Sequence, residues 1–178
     1  MKRVLLIFAA ILLTTTAFAQ QWSAGLRVGS GVQAVGQYKY DGKNYIEARF
    51  GASWCNGGVY SETIGNAVIS EPIYFDTTAD FTLLHNWHLL DMDWTPRGGK
   101  WFVDAGAGVN VGGKANYAYV GVAGMARLGF TFNNTPITLA LDWTPTFGPG
   151  IRYVKGANQM FFNELGIANV SISCTYNF

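Results

Sequence analysis

Val170-Ser171-Ile172-Ser173-Cys174-Thr175-Tyr176-Asn177-Phe178 ends the sequence, as the last part of a stretch that begins at Leu165. Every second residue, Val170, Ile172, Cys174, Tyr176 and Phe178, is apolar or aromatic, and the residues between them are small and polar. A period of two sends the two sets to opposite faces of a strand, so one face is oily and the other wet. A last strand that finishes on an outward aromatic is what a transmembrane β-barrel needs to close. Val170, Ile172, Tyr176 and Phe178 are therefore expected to form a barrel-closing signal.

The other end of the chain agrees with that address. Lys2 and Arg3 precede an apolar run from Val4 to Leu13, three threonines, and Ala17-Phe18-Ala19. A charged start, a short apolar core and an A-x-A site make a secretory signal peptide. The run is too short to span a bilayer, which takes about 20 apolar residues in a helix. Cleavage after Ala19 is expected, with residues 1–19 the signal peptide and 20–178 a single barrel domain. No cysteine follows the cleavage site, so no lipid anchor is expected there. Without Lys2 and Arg3, ten basic residues stand against eleven acidic ones, a net charge of −1. That balance gives no sign of a nucleic-acid partner. Aromatics make up 15% of the chain and charged residues 13%, against about 25% charged in an ordinary soluble domain. Low charge, 22 glycines and no helical periodicity fit a barrel that faces lipid.

Alternation and turn signals divide the chain into eight antiparallel strands in up-and-down order. They run from Trp22 to Ser30, Val32 to Tyr40, Tyr45 to Trp54, Ala79 to Asp91, Lys100 to Val111, Tyr117 to Phe132, Ile137 to Thr146, and through the closing stretch. Asp41-Gly42 and Asn133-Asn134-Thr135-Pro136 mark tight connections. Residues 55–78 and 147–162 are long breaks, and 112–116 is a loop. Outer-membrane barrels have short periplasmic turns and longer outer loops, so the two long breaks are expected outside.

Parity assigns the faces. Outward fall Ala24, Leu26 and Val28; Ile46, Ala48, Phe50 and Trp54; Val103, Ala105, Ala107 and Val109; Val120, Val122, Leu128 and Phe130; Ile137, Leu139, Leu141 and Trp143. The fourth strand adds Phe81, Leu83, Trp87 and Leu89, and with them His85. Trp22, Tyr40, Trp101, Phe132 and Phe178 gather at one rim, Trp54 and Trp143 at the other, as paired aromatic girdles do. The opposite parity collects Arg27, Lys39, Glu47, Arg49, Asp104, Arg127 and Asp142, interleaved with Gly25, Gly29, Gly51, Gly106, Gly108, Gly121 and Gly129. An eight-stranded interior is only wide enough for side chains, and unpaired buried charge is costly. The charges are therefore expected to pair and plug the lumen, with a narrow ion path or binding site as the functional alternative. A wide porin channel needs about 16 strands.

Taken together, the signal peptide, the eight alternating strands, the charged and glycine-lined interior and the terminal Thr175-Tyr176-Asn177-Phe178 resemble small outer-membrane β-barrel proteins of the OmpA/OmpX type. Residues 101–108 and 141–147 resemble strands of uncharacterised members of that superfamily. The resemblance implies a cell outer-membrane location of Gram-negative type, a monomer, and contact with outer-membrane lipid or lipopolysaccharide. It also implies assembly by barrel assembly machinery through the C-terminal strand, and a structural or surface role. It carries no catalytic set and no cofactor.

Other readings stay open. A membrane-embedded lipid-modifying enzyme would draw on His85 or His88 with Ser53, Ser61, Glu62 or Glu71, but no spacing fixes a catalytic geometry, so no catalytic residues are assigned. A metal site is not expected, since His85 and His88 at i and i+3 face opposite ways on a strand. A soluble lipocalin-like barrel would line its interior with the apolar parity. Loops 55–78 and 147–162, with Lys114, Arg152, Lys155 and Gln159-Met160-Phe161-Phe162, are the candidate surface for a partner. Cys55 and Cys174 are expected as free thiols, one near a rim and one near the chain end. Asp93-Trp94-Thr95-Pro96 recurs as Asp142-Trp143-Thr144-Pro145. If that marks a duplication, residues 55–99 hold extra strands and ten become possible.

Overall fold

The structure, a computed structural model, describes residues 21–64, 67–75, 77–92, 96–155 and 157–178. The expected signal peptide and Asp93-Trp94-Thr95 lie outside the described residues. In chain order the strands are β1 (Trp22–Gly29), β2 (Gly31–Lys39), β3 (Asn44–Ser53), β4 (Asn56–Ile64), β5 (Ala67–Phe75), β6 (Thr78–Asp91), β7 (Gly99–Lys114), β8 (Tyr117–Phe132), β9 (Ile137–Trp143), β10 (Thr146–Phe147), β11 (Pro149–Val154), β12 (Ala157–Phe162) and β13 (Val170–Asn177). Eight of them, β1, β2, β3, β6, β7, β8, β9 and β13, pair antiparallel in sequence around a closed barrel. The alternating closing stretch is the seam: β13 bonds β1 from Ser23↔Asn177 to Gly29↔Ser171, and β9 from Val170↔Trp143 to Tyr176↔Ile137. Both termini of the barrel, with the connections at 40–43 and 133–136, lie at one end, called here the terminal end. The other is the hairpin end.

The long breaks are not plain loops. Residues 55–78 hold the β4–β5 hairpin, a separate two-stranded sheet. The extra strands in 55–99 therefore exist, but they stay off the barrel path, which closes at eight. Residues 147–162 hold β10, β11 and β12. The register of β9 on β8 (Ala126↔Trp143) continues unbroken through Thr146↔Ala123 and Gly150↔Tyr119. One long strand therefore runs from Ile137 to Val154, interrupted at Thr144-Pro145, where proline has no N–H for the ladder, and at Gly148. The expected seventh strand is correct in place but breaks before Pro145 and resumes beyond it. The expected loop at 112–116 shrinks to Ala115-Asn116, because β7 and β8 stay paired up to Lys114↔Tyr117. The wall on the β7–β8–β11–β12 side thus rises above the barrel mouth. β4 leans across that mouth: Glu164 N–H donates to Gly57 O at 2.9 Å and Gly57 N–H to Asn163 Oδ1 at 3.0 Å.

Side-chain polarity follows parity around the whole ring. Phe50 is 65% exposed, Val122 62% and Ile172 62%, while Glu47 and Asp142 are 0% and Arg27 1% exposed. No Asp, Glu, Lys or Arg occupies an outward position on the eight barrel strands. At the terminal end the outward aromatics touch in series. Trp22 lies 4.8 Å from Tyr38, Trp101 5.0 Å from Phe130, Phe130 4.9 Å from Phe132, and Tyr176 5.1 Å from Phe178, centroid to centroid. Trp54 and Trp143 are exposed at the hairpin end, where Trp143 Nε1 donates to Ile167 O at 2.8 Å. A bulge between His88 and Leu90 leaves both Leu89 and Leu90 exposed, so strict alternation ends there. Among the described residues no helix is long and apolar enough to cross a membrane. This bears only on helices.

Candidate functional site

The lumen is filled in layers. At mid-height Arg127 on β8 faces Asp142 on β9 and Glu47 on β3. Its Nε donates to Asp142 Oδ1 at 2.6 Å and Nη2 to Oδ2 at 3.0 Å. Nη1 donates to Glu47 Oε2 at 2.8 Å and to the Tyr45 hydroxyl at 2.8 Å. Arg49 bonds Glu47 through Nε and the Thr144 hydroxyl at 2.8 Å. Arg27 donates to Gln33 Oε1 at 2.8 Å and Asn169 Oδ1 at 2.9 Å, and its Nε sits 3.8 Å from Asp142. Charge-assisted and bidentate bonds of this kind are the strong ones. All the expected lumen residues therefore point inward. Six of them, Arg27, Glu47, Arg49, Asp104, Arg127 and Asp142, are buried, while Lys39 is half-buried and lines a cavity below them.

Above this layer Gln33 donates to Asp80 Oδ2 at 2.7 Å, and Asn110 bonds the Thr82 hydroxyl at 2.7 Å. Asn56, Ser53 and Thr78 form a further hydrogen-bonded group. Tyr117, Tyr119 and Phe161 cap it, with Tyr60 of the β4–β5 hairpin packed against them. The lumen is closed by side chains from the plug to the hairpin end.

Below the plug the barrel stays open. A cavity of about 470 Å³ reaches the terminal end, lined by Gln37, Lys39, Lys43, Tyr45, His88, Asp91, Lys100, Phe102, Asp104, Arg127, Thr131, Asn133, Thr138 and Asn177. Its volume is within the range of small-ligand sites. Asp104 accepts from Tyr45 at 2.7 Å and lies 2.8 Å from His88 Nδ1. His88 Nε2 is 3.3 Å from Asp91, which pairs with Lys100. Phe102 lies flat against Gly129, where a Cβ would come within 2.1 Å of its ring. In the same way Gly106 leaves room for Asn86, whose Oδ1 would be 1.9 Å from a Cβ there.

The two histidines separate as their spacing requires. His85 faces outward and meets the Tyr40 hydroxyl and Trp87 at the rim. His88 faces the cavity. Ser61 and Glu62 stand on the hairpin at the other end, so the residues considered for hydrolysis are not brought together. Among the described residues no three His, Cys, Asp or Glu side chains form a metal-sized group. Cys55 and Cys174 are free thiols.

No protein-family model, curated protein or solved structure matches this chain. The site thus stands on its own geometry.

Several members of the polar interior were not singled out in the sequence: Asp80, Gln33, Gln37, Tyr45, Asn86, Asn110 and Thr144. All lie on inward parity, which was the available signal. Thr144 explains half of the Asp142-Trp143-Thr144-Pro145 motif: Asp142 and Thr144 face the plug, Trp143 faces out, and Pro145 breaks the ladder.

Proposed function

We propose that this chain is an integral β-barrel of the bacterial outer membrane with a structural or surface-interaction role and a lumen plugged by ion pairs. One observation carries the reading: the barrel's outward faces are apolar and free of Asp, Glu, Lys and Arg, while its charges are buried inside. A charged side chain at the lipid midplane costs about 2–4 kcal/mol in such barrels, and a water-soluble barrel has no reason to exclude charge from its surface. The aromatic belts at the two rims support the same reading. A signal peptide at residues 1–19 supplies export, and β13 is the segment that barrel assembly machinery engages. The hairpins of residues 55–78 and 147–162 form the outer surface, in reach of lipopolysaccharide or a partner molecule.

Fractionation tests this. The protein expressed with residues 1–19 is expected to stay with outer membranes through alkaline carbonate and salt washes, to need detergent for release, and to run at different positions in boiled and unboiled gel samples. Release without detergent contradicts the proposal.

A further inference from the structure

We infer that the cavity at the terminal end binds a small organic anion with an oxyanion head, a carboxylate or a phosphate. Arg127, the cavity's roof, is held by Glu47 and Asp142. Asp104 spends its two oxygens on His88 and Tyr45, and Asp91 its two on His88 and Lys100. Lys39 and Lys43 also line the cavity, and among the described residues neither ammonium has a carboxylate within 4.0 Å. Among the described residues, three lysines against two aspartates leave this chamber at +1 before His88 is counted. Lys39 is half-buried, and a charge withdrawn from water gains most from a counter-charge.

The walls fit an oxyanion with a body attached. Thr131 and Thr138 bond each other at 3.1 Å, which leaves one hydroxyl hydrogen to donate, and Asn133 keeps the amide hydrogen it does not give to Arg97 O; Phe102 gives a flat apolar wall beside them. The chamber is a dead end, because the Arg127 layer closes its roof. A ligand enters and leaves by the terminal end, with its charged head toward the lysines. Nothing here requires passage through the barrel, so the cavity is a binding site and not half of a channel.

The test uses the whole barrel folded in a neutral detergent, titrated calorimetrically with phenyl phosphate, with benzoate, and with uncharged benzyl alcohol. Saturable one-site binding of phenyl phosphate or benzoate is expected, weakened at least about tenfold, roughly 1.4 kcal/mol, in Lys39→Gln/Lys43→Gln, and unchanged in Lys155→Gln at the other end. Repeating the titration in phosphatidylcholine discs with and without phosphatidylglycerol identifies the natural source. Competition by the anionic lipid assigns the site to a headgroup, and equal affinity assigns it to a free solute. If the double variant fails to fold, Lys43→Gln alone, on the exposed turn, must weaken binding. No saturable binding up to ~10 mM, equal binding by the lysine variants, or equal binding of benzyl alcohol overturns the inference. Because the measurement is made in detergent on the folded barrel, such a failure leaves the membrane proposal untouched.

Discussion

Arg127 and Asp142 are directly opposed in the β8–β9 ladder, and the guanidinium grips both carboxylate oxygens, at 2.6 and 3.0 Å. The same guanidinium holds Glu47 across the lumen. One side chain thus ties three strands, β3, β8 and β9, through the barrel interior. A fork of five donors suits that task, and an ammonium does not.

Removing one partner of a buried ion pair is more damaging than removing all of them, because the survivor is left charged and unpaired. Arg127→Met is therefore expected to cost about 3–5 kcal/mol. The double change Arg127→Met/Asp142→Asn, which takes out the bidentate pair and leaves Glu47 with Arg49, is expected to cost clearly less. Urea unfolding in lipid vesicles, followed by tryptophan fluorescence, compares the two. A double variant less stable than the single one contradicts this account of the plug.

The interior is also a packing problem, and Gly129 is where it is tightest to read. Its missing side chain is the space that the Phe102 ring occupies. Gly129→Val is expected to destabilise the barrel by about 1–3 kcal/mol through overpacking. Adding Phe102→Ala empties the space and is expected to recover part of that loss. The same unfolding assay reads both, and strict additivity of the two costs would refute the contact.

The outward belt makes a contrast between two apolar residues. Leu26 stands mid-wall on β1, paired with Ala34 and Cys174, and Val59 stands on the β4–β5 hairpin; both are exposed. Leu26→Arg is expected to cost about 2–4 kcal/mol in a bilayer, and Val59→Arg no more than about 0.5 kcal/mol. Equal small effects at both sites would remove the lipid from the description.

One pH effect has its sign set by geometry. In the β2–β3 turn the backbone N–H groups of Asn44 and Lys43 donate to the Asp41 carboxylate and hold it below its ordinary value of 3.8. A carboxyl lowered in the fold stabilises it above the unfolded pKa, and that contribution disappears as pH falls through the lowered value. Asp41→Ala is therefore expected to lower Tm at neutral pH and to match the unchanged protein in strongly acidic solution. A Tm difference that persists in acid contradicts it.

Much of this was legible from alternation alone, because a barrel wall one residue thick must send each side chain in or out. That is why Arg27, Glu47, Arg127 and Asp142 could be placed inside from parity. The same rule covers Asp80 and Tyr45, but neither announces a partner: Asp80 accepts hydrogen bonds from the amides of Gln33 and Asn110, and Tyr45 is needed as a bridge between Asp104 and Arg127. The β4–β5 hairpin was illegible for a different reason. It stands off the barrel, so neither face is held to a strict oily or wet pattern, and Glu62 and Glu71 sit among Val59, Val68 and Ile69. The cavity at the terminal end was beyond reach, since its volume depends on how far the plug descends.

Spin labelling at Cys174 tests the central claim most directly. Cys174 is exposed on β13, paired with Leu26 and Leu139 in mid-wall, and Ser173 beside it is buried. In vesicles, with Cys55→Ser, a nitroxide on Cys174 is expected to collide readily with oxygen and hardly at all with a water-soluble nickel chelate. One placed at position 173 by Ser173→Cys in a Cys55→Ser/Cys174→Ser background is expected to be immobile and shielded from both. A label on Cys174 that meets the nickel chelate freely, or that is shielded from both reagents, contradicts a barrel whose apolar face is turned to lipid.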